Sequence, residues 1–230
     1  MKKRYIRLAL LIAPLLALLI MLTLHDGGAH GDRVATARQH VEAELAEHFG
    51  KPIFIRIIKE ERILELYVQA PNLAWQLLKT YPIAGMSGTL GPKTTEGDKQ
   101  APEGFYRVFP HALNPQSRFH LSFNIGYPNA YDKSLSRTGS YIMVHGGKAS
   151  VGCFAMTDAG IEEIYTLVNE AFKAGAESVP VQVYPFRMTP ERMAQEADNE
   201  HLSFWQHLLP GWQYTETHRA PYHDNDSSHH

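Results

Sequence analysis

The sequence predicts a β-rich domain of the α+β class. About seven short runs are rich in β-branched and aromatic residues, and turn residues separate them. Only one long amphipathic helix pattern stands out, over residues 157–174, and strands do not alternate regularly with helices. The chain has 230 residues, of which 44% are hydrophobic. Without the N-terminal segment about 200 residues remain, which is enough for one domain with one core.

The first 24 residues predict export from the cytoplasm. Four basic residues lie within the first seven positions, and residues 8–24 then carry no charge. As a helix, this run spans about 26 Å, slightly less than the ~30 Å hydrocarbon core of a bilayer. The only cleavage-like site is the weak Gly28-Ala29-His30. Residues 1–24 are therefore predicted to be a signal peptide or, in preference, an uncleaved membrane anchor, with the remainder exported.

Residues 25–84 predict a linker followed by three strands. In residues 25–50, apolar side chains recur at helical spacing and predict a short linker helix: Val34, Val41, Leu45 and Phe49. Residues 53–58 and 63–68 are apolar runs around a charged turn, so they predict a hairpin. A third strand is predicted over residues 77–84. It is expected at a sheet edge because Pro82 lacks the N–H group that a central strand uses.

Residues 85–104 form a long loop rich in Gly, Pro, Thr and charged residues. A connection of this length inside a domain is usually functional or disordered. It lacks the Gly-Lys-Ser/Thr sequence of a P-loop, so no nucleotide site is expected. Three more short strands are predicted, over residues 105–109, 121–125 and 141–145. Residues 124–132 form a loop rich in aromatic and amide groups.

The C-terminal third holds the best helix, residues 157–174, with Thr157 or Asp158 as its cap. A strand is predicted over residues 179–184. Residues 188–213 are predicted to supply helices that pack on the domain. One of them begins at Thr189-Pro190, and a short terminal one covers residues 201–209. The polar residues 214–230 are predicted to be a disordered tail.

The composition excludes several classes of protein. There are 22 Lys and Arg residues against 24 Asp and Glu residues, so a polybasic nucleic-acid surface is not expected. The single cysteine rules out an intramolecular disulfide. The chain has no H-E-x-x-H sequence and no Cys/His spacing typical of zinc sites, so no metal site is expected.

The segment between residues 141 and 157 carries the candidate chemistry. His145 ends a predicted strand, and Cys153 follows eight residues later, shortly before the best helix. A thiol acts as a nucleophile when it is a thiolate, beside an imidazole or near a helix N-terminus. Gly152 would let a carbonyl substrate approach the backbone, where N–H groups can form an oxyanion hole. These residues alone leave a nucleophilic cysteine and an inert, buried cysteine equally open.

Two sequence motifs resemble those of the L,D-transpeptidase (YkuD-type) catalytic domain family. His145-Gly146, followed by Ser150-x-Gly152-Cys153-x-x-Met156, is similar to the family's active-site signature. Ala101-Pro-Glu-Gly-Phe105 resembles a stretch that packs beside that site. The resemblance covers residues 51–187. It implies an L,D-transpeptidase-like mixed β-sheet or sandwich with a few helices, in an exported cysteine enzyme that acts on peptidoglycan.

The resemblance also implies roles for particular residues. The expected catalytic residues are Cys153 as nucleophile, His145 as base, and Gly146 and Gly152 beside them. The expected partners are peptidoglycan stem peptides that contain meso-diaminopimelate, and no cofactor is expected. Eight residues are candidates for substrate binding, although each can instead serve a loop, a turn or a local ion pair: Lys93, Glu96, Asp98, Tyr127, Asn129, Asp132, Ser150 and Arg187.

Three departures from the family pattern weigh against the usual cross-linking reaction. The insert between His145 and Ser150 is short, Val151 replaces a histidine, and Ala155 replaces an arginine or asparagine. Three other segments resemble a subgroup of the family: residues 91–98, 129–132 and 184–189. That subgroup includes the enzyme that hydrolyses the bond between diaminopimelate and the C-terminal lysine of the major outer-membrane lipoprotein. Hydrolysis of such a bond is therefore the favoured prediction, with the lipoprotein as a further partner.

Three alternatives differ in their chemistry. The first is an L,D-transpeptidase that forms cross-links or attaches proteins to the wall. The second is a catalytically silent cell-wall binding module that has kept the fold. The third, a papain-like protease, is disfavoured because its cysteine would precede its histidine along the chain.

Overall fold

The computed structural model describes residues 33–222, so the predicted anchor and the last eight residues lie outside the described part. Its strands are β1 (Ile53–Ile58), β2 (Ile63–Gln69), β3 (Trp75–Pro82), β4 (Gly104–Val108), β5 (Leu113–Asn114), β6 (Ser122–Asn124), β7 (Met143–His145), β8 (Phe154–Ala155) and β9 (Val179–Tyr184). Its helices are α1 (33–40), α2 (Ala43–Ala46), α3 (Ala130–Ser134), α4 (Asp158–Lys173), α5 (Pro190–Ala194) and α6 (Leu202–His218), with a 3-10 turn at Pro110–Ala112.

Five strands form the larger sheet, in the order β3-β2-β1-β9-β4. β1 runs parallel to β9 and antiparallel to β2, which confirms the predicted hairpin. Every residue of β1 is buried, because the sheet is covered on both faces. Ile55 and Ile57 belong to the main core with α4, whereas Ile58 belongs to a second cluster under α6. β3 lies at the edge, as Pro82 predicts.

The smaller sheet has the order β5-β6-β7-β8, and its last two strands run parallel. Parallel neighbours usually need a connection of a dozen or more residues. Here residues 146–153 suffice, because both strands are very short. This loop therefore returns the chain directly from His145 to Cys153. An isolated bridge between Gly85 and Ala155 joins the sheet to the start of the long loop.

Helix α4 packs its apolar face into the main core. Thr157 caps it by accepting a hydrogen bond from Gly160 N–H, as predicted, and Ile161, Ile164 and Val168 are fully buried. Together the two sheets and few helices confirm the predicted β-rich α+β class. Strand number was underestimated, because β5 and β8 have only two residues each.

The C-terminal prediction was wrong in extent. Helix α6 continues beyond residue 209, passes through Pro210 and ends at His218. Pro210 removes one helical hydrogen bond, but buried Trp205 and Trp212 hold the helix against the sheet on either side of it. Gly211 permits this contact, because a Cβ atom there would lie 2.4 Å from the ring of Phe105. Residues from 214 to 218 are thus helical rather than a disordered tail.

The segment predicted as a linker belongs in part to the core. Residues 33–46 form α1 and α2, and Ala37, Val41 and Leu45 are buried in the main cluster. Arg38 pairs with Glu170 of α4, with 3.3 Å between Nε and Oε1. Within residues 33–222, none of the helices has the length and hydropathy that crossing a membrane would require.

A buried ionic cluster fixes the base of the long loop. The Lys59 ammonium donates to Glu103 at 2.8 Å and to the carbonyls of Gly91 and Ala101 at 3.0 and 2.9 Å. Glu103 also accepts from Gly91 N–H at 2.7 Å and from the Trp205 indole N–H at 2.8 Å. The two charged side chains are 1% and 0% exposed. The cluster therefore ties both ends of the loop to β1 and to α6.

Candidate active site

The parallel pairing of β7 and β8 brings His145 and Cys153 onto one face of the smaller sheet. His145 is paired with Ala155, and Cys153 lies two residues before Ala155. Side chains two residues apart on a strand share a face, so the thiol and the imidazole lie on the same side. Met143 N–H donates to the Cys153 sulfur at 3.3 Å, which fixes the thiol beside β7. Within the described chain, the imidazole and the thiol do not hydrogen-bond to each other in this resting arrangement.

The imidazole of His145 is held by its own turn. Its Nδ1 lies 2.6 Å from the carbonyl oxygen of Gly146, so the tautomer assigned by this contact carries the proton on Nδ1 and leaves Nε2 as acceptor. The ring is 4% exposed and packs on Phe119, with 4.7 Å between centroids. Burial lowers the pKa of His145, and the Gly146 carbonyl opposes this only in part. The imidazole is therefore neutral and able to take a proton.

The Cys153 thiol is not a thiolate at rest. Burial raises its pKa, and the Met143 N–H and the Lys93 ammonium act in the opposite direction without reversing the shift. The sequence suggested activation by the N-terminus of the following helix. Instead the thiol hydrogen-bonds to the backbone of β7 and of Tyr141, and α4 begins five residues later. A nucleophilic role for this thiol would therefore require proton transfer to a base.

Gly146 and Gly152 serve the backbone in different ways. A Cβ on Gly146 would lie 2.6 Å from the Phe119 carbonyl oxygen and 2.7 Å from the Asp158 carboxylate, so only glycine fits there. Gly152 has φ +79°, which favours glycine at this turn.

The expected oxyanion-hole donors are occupied by hydroxyl groups. Gly152 N–H donates to Ser87 Oγ at 2.7 Å, and Cys153 N–H donates to Ser150 Oγ at 3.1 Å. A substrate oxyanion would have to replace these hydroxyl oxygens as the acceptor. Ser87 in turn donates to the Lys99 carbonyl at 2.6 Å. Ser87 carries no sequence signal other than its place in the long loop.

A cavity of about 390 Å³ opens beside Cys153. The long loop forms one wall with Lys93, Glu96 and Lys99, and residues 139–142 and 151–152 form the other. Tyr141 and Val151 are 75% and 67% exposed, so the rim carries large apolar groups. Tyr141 has φ +54°, an uncommon conformation for a bulky residue. The sequence did not indicate Lys99 or Tyr141.

Lys93 and Asp98 organise the loop around the cavity. The Lys93 ammonium donates to Asp98 at 2.6 Å and to the Thr95 carbonyl at 2.8 Å. Asp98 also accepts backbone hydrogen bonds from Thr94, Thr95 and Gln100. Burial alone would raise the pKa of Asp98, but these donors outweigh it and lower the pKa to about 2. Both side chains are therefore committed to the loop, although Lys93 still faces the cavity.

Three further candidates support the fold near the site. The Tyr127 hydroxyl donates to the Lys93 carbonyl at 3.1 Å, beneath the loop. Asn129 and Asp132 form a capping box at the start of α3, and Asp132 also pairs with Arg137 at 2.8 Å. The structure does not bring these three residues to the wall of the cavity beside Cys153.

Arg187 lies elsewhere. It pairs with Glu61 and Glu65 beside the β1–β2 hairpin, at 2.7 and 2.8 Å, and it does not line the cavity. The local ion pair is therefore the arrangement that the structure adopts. Among residues 33–222, no cluster of three or more metal-ligating side chains occurs.

The family of this chain follows from its similarity to known proteins. The sequence matches the YkuD family, described as the L,D-transpeptidase catalytic domain, over residues 54–183. The chain belongs to this family. The matched residues lie within the range 51–187 that the sequence motifs indicated. Membership of this family supports an enzyme that acts on peptidoglycan.

Several known proteins are similar to this chain. YafK of Escherichia coli K12, whose name classes it provisionally as an L,D-transpeptidase, is 42% identical over 210 residues, which are 91% of this chain and 85% of that protein. The crystal structure of the helical cell shape determining protein Pgp2 from Campylobacter jejuni is 19% identical with a TM-score of 0.49. It covers 82% of this chain, and this chain spans 65% of that one. Bd1075 of Bdellovibrio bacteriovorus is 20% identical with a TM-score of 0.41 over 74% of this chain and 59% of that one.

Proposed function

We propose that this protein is an exported cysteine hydrolase that cleaves L,D-type diaminopimelyl bonds in peptidoglycan through a thioester on Cys153. The favoured bond joins diaminopimelate to the lysine of a wall-bound lipoprotein. One observation carries the proposal: a neutral, oriented imidazole ends β7, and the thiol on the same face of the smaller sheet lines a cavity. A silent binding module would not need this arrangement.

The first half-reaction forms the thioester. Nε2 of His145 takes the thiol proton as the sulfur attacks the carbonyl carbon at the L-centre of diaminopimelate. The carbonyl oxygen gains the negative charge and accepts hydrogen bonds from the N–H groups of Gly152 and Cys153, displacing the hydroxyls of Ser87 and Ser150. Collapse of this intermediate breaks the carbon–nitrogen bond, and His145 gives its proton to the leaving amine.

The second half-reaction releases the product. Water attacks the thioester carbonyl and loses a proton to His145. Collapse expels the Cys153 sulfur, which recovers the proton, and leaves a free carboxylate on diaminopimelate. One imidazole serves both steps, since Val151 places an apolar side chain where the family usually has a second histidine. Every group in this scheme belongs to the chain, the substrate or water.

Transfer to an amine rather than to water is the competing outcome, because the same thioester can react with either. Water is preferred in the proposal for two reasons: the departures at Val151 and Ala155, and the resemblance of three segments to the hydrolytic subgroup. The structure gives two of these segments structural roles, at the α3 cap and at the Arg187 ion pairs. The segment of residues 91–98, which lies at the cavity, is therefore the one that bears on the substrate.

The location belongs to the same proposal. Residues 1–24 carry the chain through the inner membrane, as an anchor in preference to a cleaved signal, and the catalytic domain lies in the periplasm. The hydrolase then meets its two proposed partners there, the peptidoglycan stem peptides and the lipoprotein attached to them.

The test is product analysis with the full-length chain. We expect the parent to release lipoprotein from lipoprotein-bearing sacculi and to leave tripeptide stems, as measured by mass spectrometry. Cys153→Ala and His145→Ala should release none, whereas His218→Ala, an exposed histidine at the end of α6, should match the parent. New diaminopimelate–diaminopimelate dimers would establish a transpeptidase instead. A folded parent that yields no product would favour the silent module.

A further inference from the structure

Two charged side chains at the cavity have no partner of their own. Glu96 and Lys99 both line the cavity beside Cys153, and both are exposed. Neither side chain forms a hydrogen bond or an ion pair within residues 33–222, and their charged ends do not pair with each other. The neighbouring charges differ in this respect, because Lys93 and Asp98 neutralise one another. The cavity therefore presents one available positive and one available negative group.

Hydrogen bonds hold the loop around Glu96 and Lys99 in one conformation. Glu96 N–H donates to Thr138 Oγ1 at 3.1 Å, and Thr138 N–H donates to the Thr94 carbonyl at 3.0 Å. Asp98, placed between the two charges, accepts four hydrogen bonds from within the loop. Because these bonds hold the backbone, a ligand does not have to order the main chain that carries the two charged side chains.

A single hydroxyl also aligns this loop with the nucleophile. Ser87 accepts from Gly152 N–H and donates to the Lys99 carbonyl, with distances of 2.7 and 2.6 Å. The residue before Cys153 and the residue that carries the free ammonium are therefore two hydrogen bonds apart. The backbone of Lys99 is therefore tied to the backbone beside the sulfur, and a ligand held by Lys99 and Glu96 would lie in the cavity that Cys153 lines.

We infer that Glu96 and Lys99 bind a zwitterionic amino-acid head group, with Lys99 on its carboxylate and Glu96 on its ammonium. For the identity of the ligand the inference rests on the proposed function. The carbonyl under attack belongs to the L-centre of diaminopimelate, so the other end of the same residue, its D-centre, carries both an ammonium and a carboxylate. A lysine at this position of the stem would present the ammonium alone. The pair thus selects stems that contain diaminopimelate over stems that contain lysine.

Direct binding tests the inference independently of turnover. The full-length Cys153→Ala chain is titrated calorimetrically with three synthetic tripeptide stems. They contain diaminopimelate, diaminopimelate with its D-centre carboxylate amidated, or lysine. We expect the first to bind about tenfold or more tightly than the other two, as a charge-assisted hydrogen bond in a partly enclosed site would give. Adding Lys99→Met should make all three equal, and adding Glu96→Gln should weaken all three.

The matched control is Lys173→Met, which removes another exposed lysine, on α4, and should leave the preference intact. Equal binding of the three stems to the Cys153→Ala chain, or no binding of any of them, would overturn the inference. Loss of the preference in the Lys173→Met control would do the same. Turnover by the Cys153-containing parent is measured in parallel. Binding with the expected preference but without turnover contradicts only the proposed hydrolysis, and turnover without the preference contradicts only the inference.

Discussion

Replacing Lys59 by Met should destabilise the whole domain, because Lys59 is the only cation in the buried cluster at the base of the long loop. The substitution leaves the Glu103 carboxylate with two donors, Gly91 N–H and the Trp205 indole, and no counter-charge. It also removes the hydrogen bond to the Ala101 carbonyl, whereas the Gly91 carbonyl keeps its bond from Gln100 at 2.9 Å.

The magnitude follows from these contacts. Removing one partner of a buried ion pair costs about 3–5 kcal/mol, mainly because the other charge stays buried. The lost bond to Ala101 adds about 1 kcal/mol. The new methionine recovers part of this by packing, so we expect a net loss of about 4 kcal/mol. Domains are stable by about 5–15 kcal/mol, so the variant should still fold but with a large shift. Adding Glu103→Gln removes the stranded charge and should restore about 2 kcal/mol.

The assay is urea unfolding followed by tryptophan fluorescence, which reports on Trp205 in the cluster. Lys173→Met is the control, since its exposed ion pair with Glu170 should contribute less than about 0.5 kcal/mol. A loss below about 1 kcal/mol in Lys59→Met would refute the reasoning. So would a Lys59→Met/Glu103→Gln double variant that is no more stable than the single one.

Three further predictions concern the site. At pH 7, iodoacetamide should alkylate Cys153 more slowly than it alkylates a small free thiol, because burial raises the pKa of the Cys153 thiol. The alkylation rate should rise only at higher pH. A fast reaction at pH 7 would contradict this prediction. Asp98 stabilises the fold fully above its ordinary pKa of 3.8, and this contribution is lost as the pH falls towards its folded value of about 2. Between pH 5 and about 2.5, the melting temperature should therefore fall more steeply in the parent than in Asp98→Asn. Parallel curves of melting temperature against pH would contradict this role of Asp98. Gly146→Ala should abolish product formation and lower the melting temperature, since its Cβ would meet the backbone of Phe119 at 2.6 Å; normal activity would show that this turn can relax.

Much of the larger sheet could be predicted because its central strand has a clear apolar sequence pattern. Five of the six residues 53–58 are apolar, as expected for a strand covered on both faces, and the observed β1 has the same bounds. The C-terminal helix was harder to predict. Pro210 and Gly211 are normally signs of a helix end, but tertiary contacts outweigh them here. No local pattern records that Gly211 must approach Phe105.

The site shows the same division between local and long-range information. His145 and Cys153 could be singled out because they are eight residues apart and the loop between them is short. Ser87 could not, because its hydrogen bond to Gly152 spans 65 positions of the chain. The charged residues of the long loop illustrate a different limit. The sequence marks Asp98 but not Lys99 as a candidate, whereas in the structure the Asp98 carboxylate is bonded within its own loop and Lys99 lines the cavity.

The docking of α1 on α4 has a consequence for the order in which the molecule can assemble. His40 contacts Glu162 across 122 positions and Arg38 contacts Glu170 across 132. A chain emerges N-terminus first, at about 5–20 residues per second during synthesis. The apolar side of α1 must therefore wait on the order of ten seconds before its partner exists. During that interval Ala37 of α1, and Val41 and Leu45 just after it, lack the partners that bury them in the folded domain.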